Sequence, residues 1–438
     1  MILLSIVTTT IISSVVVFLI VLFTLLTLLL FAKAKLSPSG RIKIKINEEK
    51  IIEVDGGGTL LSTLSESGIF LPSACGGGGT CVQCTCQVSS GGGSILPTEE
   101  PYFSRKEIAD NYRLGCQVKV REDMEIHIPE EIFGIKEWEA AVVSNYNVAT
   151  YIKELIIEIP EDMNYKAGGY LQIKIPRSEI KFTDMDISAH PQDHPGEPDK
   201  FEKDWEEGNF AIRDLVMKND EEIVRAYSMA SYPAEGKKIM LNVRIAAPPW
   251  DTDKNTWADI NPGIASSYLF NCKSGETVTI SGPYGEFFIN DSDAEMLYIG
   301  GGAGMAPMRS HLYQLFKTLR TGRKVTFFYG GRSRAELFYI EHFRLLEKEF
   351  PNFKFYLVLS DAKENDNWKE MQNLSDEGDG FVGFVHQVVI DQFLSQHEYP
   401  EDLELYFCGP PPMNQAILKM ADDWGIPDEN VRFDDFGV

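Results

Sequence analysis

The first 32 residues carry no charged side chain, and no Lys or Arg precedes their apolar run. That lack removes the basic head a cleaved signal peptide would show. The whole chain also lacks a surplus of positive charge. Its 41 Lys and Arg face 65 Asp and Glu, a formal net charge of −24. Phosphate backbones are held by basic patches, so nucleic acid is excluded as a partner; acidity otherwise speaks to solubility and weak steering. No internal repeat is visible. Cysteine is scarce, seven in 438 residues, with a single C-x2-C pair at Cys81 and Cys84. Structural zinc usually wants two such pairs. At this length three domains are expected.

What the N-terminus does hold is apolar. From Val15 to Phe31 nearly every side chain is hydrophobic, and the uncharged stretch exceeds the ~20 residues a spanning helix needs. Lys33, Lys35, Arg41, Lys43 and Lys45 follow at once. Positive charge stays cytoplasmic. The expectation is a single-pass anchor over 1–35 in the cell (inner) membrane, N-terminus outside, with all later domains cytoplasmic. A reducing compartment argues against disulfides.

Four cysteines fall within Cys75–Cys86, on a loop rich in glycine, and Cys116 follows. Setting Cys86 aside, the spacing is C-x5-C-x2-C-x31-C. Soft thiolates converging from one loop suit an iron–sulfur cluster, and glycine lets backbone N–H groups approach its sulfurs. The metal ligands read from this pattern are Cys75, Cys81, Cys84 and Cys116, around a 2Fe–2S cluster. Cys86 points the same way along a strand as Cys84; it is expected to pack beneath the loop instead. Around the loop, residues 40–130 show a hairpin at Ile42–Val54, a helix capped by Thr59, a helix at Ser104–Leu114, and strands at Thr85–Val88, Cys116–Val120 and Glu125–Ile128. This resembles the β-grasp domain of plant-type ferredoxins. The family spacing opens C-x4-C, one residue shorter than here.

Strands dominate 134–290. Four pieces stand out in order: Arg225-Ala226-Tyr227-Ser228; Gly263 to Leu269, which opens a helix whose N-terminus suits a phosphate; Ser274 to Val278; and Gly282 to Phe287, with Glu286. An acidic stretch at 180–222 precedes them, with His190 and His194 in a loop bounded by Pro191 and Pro195; a solvated or partner-facing excursion is expected there. From 291 strands and helices alternate. A buried strand ends in Gly300-Gly301-Gly302-Ala303-Gly304-Met305, a turn suited to a pyrophosphate although not the full G-x-G-x-x-G fingerprint. Later strands end in Tyr329 to Ser333, where a ribose or its phosphate would lie, and in Cys408-Gly409-Pro410. Arg332 and Arg334 match a 2′-phosphate, which leaves NADH and NADPH open on physics alone.

In this order the pieces look like the ferredoxin–NADP reductase superfamily. That resemblance implies that Arg225 pairs with an FAD pyrophosphate, Tyr227 lies along the flavin, and Ser228 reaches its N5. It makes Arg244, Gly263, Ser266 and Ser267 further FAD contacts, and Gly301, Gly302, Gly304, Met305, Arg332, Cys408 and Gly409 nucleotide contacts. Phe436 becomes the aromatic stacked on the flavin. Ser228, Glu286 and Cys408 would lie near the flavin and nicotinamide, with no certain catalytic residue. With its anchor and Cys-rich domain, the full length resembles the F subunits of bacterial Na⁺-translocating NADH:quinone oxidoreductases. The fold this implies is multidomain: a single transmembrane helix, a β-grasp 2Fe–2S ferredoxin domain, an antiparallel β-barrel FAD domain (134–290) and an α/β NADH-binding domain (291–438). The implied partners are other membrane subunits, with a quinone reached through them. The rivals are a membrane-anchored oxygenase-type reductase and an electron carrier that oxidises no nucleotide.

Overall fold

The computed structural model describes residues 14–28, 41–206 and 212–436. Residues 14–28 form helix α1, with every side chain exposed. Among the described residues no helix is long and apolar enough to cross a membrane; the rest of the expected anchor, at 1–13 and 29–35, lies outside them. The remaining residues form two compact units, divided at Gly134 and Ile135, with Ser73–Gly76 grouped in the second.

The first unit is a five-stranded mixed sheet. Its elements are β1 (Arg41–Ile46), β2 (Lys50–Asp55), α2 (Leu60–Glu66), β3 (Thr85–Ser90), α3 (Arg105–Ala109), β4 (Tyr112–Leu114) and β5 (Met124–His127). Strand order is β2-β1-β5-β3-β4, with β1 and β5 parallel. Strict alternation puts Ile42, Ile44 and Ile46 inside and the basic residues of β1 outward. A capping box between Thr59 and Ser62 starts α2, which buries Leu60 and Leu64. Two expectations change here. The helix at Ser104 stops at Ala109, because Asn111 takes a left-handed φ of 60° and turns the chain into β4. The expected strand at Cys116–Val120 is not formed: Cys116 and Gln117 lie in a turn, and Lys119 makes an isolated bridge with Thr59, beside the Leu60 N–H that donates to the Val118 carbonyl.

The second unit begins with an antiparallel sheet. It comprises β6 (Lys136–Ala149), β7 (Ile152–Glu158), β8 (Tyr170–Ile175), a side hairpin of β9 (Ser178–Lys181) and β10 (Val216–Asn219) flanking α4 (Glu202–Glu206), then β11 (Ile223–Ser228), β12 (Lys238–Arg244), a small hairpin of β13 (Trp250–Asp251) and β14 (Thr256–Trp257), α5 (Ile264–Asn271) and β15 (Thr277–Tyr284). The order β11-β8-β15-β6-β7-β12 has its two edges joined by a bridge between Met229 and Leu241, which closes the sheet into a barrel.

A parallel sheet follows: β16 (Met296–Gly301), α6 (Met305–Tyr313), β17 (Val325–Gly331), α7 (Ile340–Glu349), β18 (Phe353–Leu359), β19 (Phe381–Val382), α8 (Val385–Gln392), β20 (Glu404–Cys408), α9 (Pro411–Asp423) and β21 (Val431–Asp434). Its order, β19-β18-β17-β16-β20-β21, reverses between β16 and β20. In open parallel sheets ligands bind at the strand C-termini where the order reverses. Here that point is flanked by the turns after Gly301 and Cys408. His311 of α6 joins this layer to the barrel: it is wholly buried, stacked on Phe287 at 4.7 Å, and burial pushes it down to about 4, so it stays neutral.

The acidic stretch is not a solvated excursion. Phe182, Met185, Ile187, Trp205, Ile212 and Met217 are spaced among its carboxylates and are buried in the barrel core. Trp205 is the anchor. Its indole N–H donates to the Thr150 carbonyl at 2.7 Å, its ring stacks on Phe270 at 5.6 Å, and the Arg213 guanidinium lies 5.5 Å from it. Composition hid this, because a few large apolar residues outweigh many exposed acids in burial. Trp205→Ala should therefore cost about 3–5 kcal/mol of stability in denaturant unfolding of the full chain. A cost below about 1 kcal/mol would mean the stretch is not part of the core.

Candidate functional site

A cleft of about 1400 Å³ opens between the barrel and the parallel sheet. It is larger than the ~300–1,000 Å³ of a common small-molecule site, and has room for two nucleotides side by side.

The barrel supplies one wall. Arg225, Tyr227 and Ser228 line it from β11, and Arg244 from the end of β12. The N-terminus of α5 opens on it at Gly263 and Ser266. Ser266 holds that end in place: its hydroxyl donates to the Gly263 carbonyl at 3.1 Å and accepts the Ala246 N–H at 3.2 Å. Asn242 lines the same wall; its amide N–H donates to the Tyr339 hydroxyl at 2.8 Å, while its carbonyl oxygen is buried without a partner. An unmatched buried acceptor is costly, and a polar ligand would satisfy it.

The parallel sheet supplies the other wall. Gly301 and Gly304 line it where β16 turns into α6, Gly409 and Pro410 where β20 turns into α9, and Arg332 just past β17. Gly304 packs so closely that an added Cβ would sit 2.1 Å from the Cys408 carbonyl oxygen. Gly302 has a φ of +55°, and a Cβ there would lie 3.6 Å from Arg244 Nη1. Phe436 lines the mouth, half-exposed.

Three helix N-termini, those of α5, α6 and α9, thus face one cleft with three arginines. Each helix end carries roughly half a positive charge and unpaired N–H groups. In a chain of net charge −24 this is a concentrated anion site. Its charge pattern fits nucleotide phosphates, and its unmatched acceptor fits a donor on the ligand, such as a ribose hydroxyl or a flavin N–H.

Several predicted residues lie elsewhere. Ser267 is fully buried one position deeper in α5, with its hydroxyl unpartnered. Met305 is buried behind the glycine turn, and Glu286 is exposed outside the lining. Cys408 is buried at the end of β20, where burial first and then the charges of Asp434 and Asp435 push its thiol well up, so it stays protonated. Sequence reasoning missed Asp434. Its carboxylate accepts the Ser228 hydroxyl at 2.5 Å, and burial pushes it up to about 6. It also missed Tyr151, Lys203 and Asp204 on the wall. Nothing local marks these; they arrive through the barrel's hairpin and the docked acidic stretch.

None of the seven cysteines is in a disulfide. In the first unit Cys84 and Cys116 are both buried, and a hydrogen bond between their thiols together with burial pushes Cys84 well up. Cys75 and Cys81 are half-buried. Among the described residues no three His, Cys, Asp or Glu side chains converge as a site for a single ion. A two-iron cluster needs only two protein thiolates at each iron, and adjacent Cys84 and Cys116 fit one such pair. The loop is strained where it curls: Val82, a β-branched residue between Cys81 and Cys84, has a φ of 63°. Gly79, at φ +78°, takes a left-handed conformation that a side chain would strain, with the end of Gln117 close by. Cys86 is buried on β3 beside Arg113 and is pushed up to about 12 by burial. Arg113 forks onto Glu99 at 2.8–3.1 Å and donates to the carbonyls of Gly92 and Gly93, which pins the segment behind the loop.

The packing of Gly304 generates a prediction. Gly304→Ala must push α6 away from β20, and should weaken NADH binding by about tenfold or more in a calorimetric titration. An unchanged affinity would mean this turn does not shape the cleft.

Residues 44–121 match the 2Fe-2S iron-sulfur cluster binding domain family, 206–289 the oxidoreductase FAD-binding domain family, and 298–419 the oxidoreductase NAD-binding domain family. A cytochrome P450 reductase of Amycolatopsis shares the fold at a TM-score of 0.60 and 21% identity, over 90% of this chain and 98% of that one. The ferredoxin reductase in carbazole 1,9a-dioxygenase does so at 0.55 and 21%, over 91% and 98%. The F subunit of the Na(+)-translocating NADH-quinone reductase of Neisseria meningitidis is 51% identical over 412 residues, 94% of this chain and 95% of its own. Its counterpart in Haemophilus influenzae is 49% identical over 417 residues, 94% and 95%. At that identity and coverage, the chain belongs to the family of F subunits of Na(+)-translocating NADH-quinone reductases.

Proposed function

We propose that this chain is the electron-entry subunit of a sodium-pumping NADH:quinone oxidoreductase, oxidising NADH and passing electrons to other membrane subunits that reduce ubiquinone or menaquinone. The observation that carries this reading is the single cleft on which three helix N-termini and Arg225, Arg244 and Arg332 converge. FAD, when bound, takes a hydride from NADH and gives up electrons singly, and a 2Fe–2S cluster carries them one at a time.

The chain's own residues hold and orient these groups. Arg225, Arg244 and the α5 N-terminus, with Gly263 and Ser266, suit an FAD pyrophosphate. Tyr227 and Phe436 offer aromatic faces to a flavin, and the Ser228 oxygen, whose proton is donated to Asp434, offers an acceptor at its edge. The turns at Gly301–Gly304 and Cys408–Gly409, with Arg332, suit NADH. Cys408 serves as a packed thiol beside the reacting end, not as a nucleophile. Ser267 and Met305 support the walls from behind. Cys75, Cys81, Cys84 and Cys116 are the proposed cluster ligands, with Cys86 a structural neighbour.

Ferricyanide reduction by NADH separates the parts. The FAD-loaded full chain should reduce ferricyanide; a loaded chain that does not is no NADH dehydrogenase. Cys84→Ser should lose iron and the cluster's visible absorbance while keeping flavin reduction by NADH. Cys86→Ser should keep both, and loss of iron in that variant would overturn the ligand set.

The anchor belongs to the same proposal. Helix α1 spans about 22 Å at about 1.5 Å per residue, against a hydrocarbon core of about 30 Å. The uncharged sequence on either side of it has the length to make up the difference, and the basic residues from Lys33 favour a cytoplasmic catalytic part. The full chain should stay with membranes through alkaline carbonate washing, and a chain lacking residues 1–32 should not. Full release of the intact chain would remove the anchor.

A further inference from the structure

One end of the cleft is built from segments far apart in the chain. Arg332 and Glu336 follow β17, Asp361 and Asp366 follow β18, and Asp204 comes from α4 in the acidic stretch; all five line the cleft. The residue after the second strand of such a sheet faces the ribose 2′ position, where an acid accepts a 2′-hydroxyl and an arginine accommodates a 2′-phosphate. Arg332 alone would therefore point to NADPH.

Its surroundings point the other way. Asp361 N–H donates to the Arg332 carbonyl at 2.8 Å, which holds the two strand-end loops together. The nearby cation Lys363 is paired with Asp361, and its backbone N–H is taken by Asp366 at 2.9 Å. Opposite them, Asp204 is held in place: its carboxylate accepts the Thr150 hydroxyl at 3.1 Å, and its carbonyl accepts the Tyr151 hydroxyl at 3.2 Å. Burial raises the Tyr151 hydroxyl first, the charges of Asp204 and Glu336 raise it further and Arg332 opposes them, so the two carboxylates and this arginine all act around one hydroxyl. Trp205, buried beside Asp204, fixes α4 to the barrel.

We propose that Asp204 and Glu336 are specificity residues that make this cleft accept NADH and reject NADPH. A 2′-phosphate brings up to about two negative charges, and the two carboxylates that line this cleft would repel it. A 2′-hydroxyl is instead a donor that a carboxylate accepts. The acidic stretch is then a wall of the nucleotide site, and it supplies a selectivity that β17 by itself does not encode. The inference rests on the reading of this cleft as the NADH site.

The test uses the FAD-loaded full chain as wild type, Asp204→Asn, Glu336→Gln and the double variant. Asparagine keeps an acceptor for Thr150 and so keeps α4 in place. Two quantities are measured: the NADPH-to-NADH ratio of kcat/KM, and calorimetric binding of 2′,5′-ADP relative to 5′-AMP. The double variant should raise the first ratio about tenfold or more and tighten 2′,5′-ADP relative to 5′-AMP by a similar factor. Both ratios staying within about threefold of wild type would overturn the proposal. So would a wild type that uses NADPH as well as NADH. A loaded wild type that oxidises neither nucleotide would sink the proposed function, and the 2′,5′-ADP comparison would still decide this inference.

Discussion

A strongly acidic chain that holds polyanionic nucleotides must gather positive potential at one place, and the architecture follows from that constraint. The structure adds the N-terminal ends of α5, α6 and α9, which supply positive potential from the backbone without adding a titratable group. Each end reaches the cleft because a sharp turn precedes it: Gly263 before α5, the Gly301–Gly304 turn before α6, Gly409-Pro410 before α9. The reversal of strand order between β16 and β20 puts the last two side by side, and the barrel's closure beyond β12 brings the first across from them.

The same acidity serves a second purpose at the other end of the cleft. Carboxylates there belong to three separate segments, and one segment reaches the cleft only because Trp205 is buried in the barrel core. Burial of an aromatic ring thus controls an electrostatic property some residues away. This is also why the stretch looks like an excursion by composition. Its charged residues dominate the count, while its apolar residues dominate the energy of docking.

The cysteine loop is built on a different logic. Its shape depends on local backbone strain, at Val82 and the left-handed glycines, and on a buried ion pair behind it. Arg113 and Glu99 are both nearly inaccessible and fully engaged. Replacing one partner of such a pair leaves a buried charge unmatched, so this pair pins the segment around Cys86, while Cys75 and Cys81 of the loop stay half-buried.

By itself the sequence determined the kinds of chemistry present and their order. Cysteine spacing, glycine turns between strand and helix, and short aromatic and basic motifs are local patterns, and local backbone geometry reads them directly. Hence the buried strand that runs into Gly300 was legible, as was the helix beginning after Gly263. The short helix at Arg105 was legible in place but not in length, because its end is set by the left-handed turn at Asn111. Tertiary structure alone decided which charges meet. Asp204 and Glu336 line one cleft, Asp434 reaches Ser228, and Ser267 turns away from the wall that Ser266 lines. The reason is physical: electrostatic interaction depends on distance in space, and chain folding sets that distance through burial of residues, such as Trp205 and His311, that carry none of the chemistry themselves.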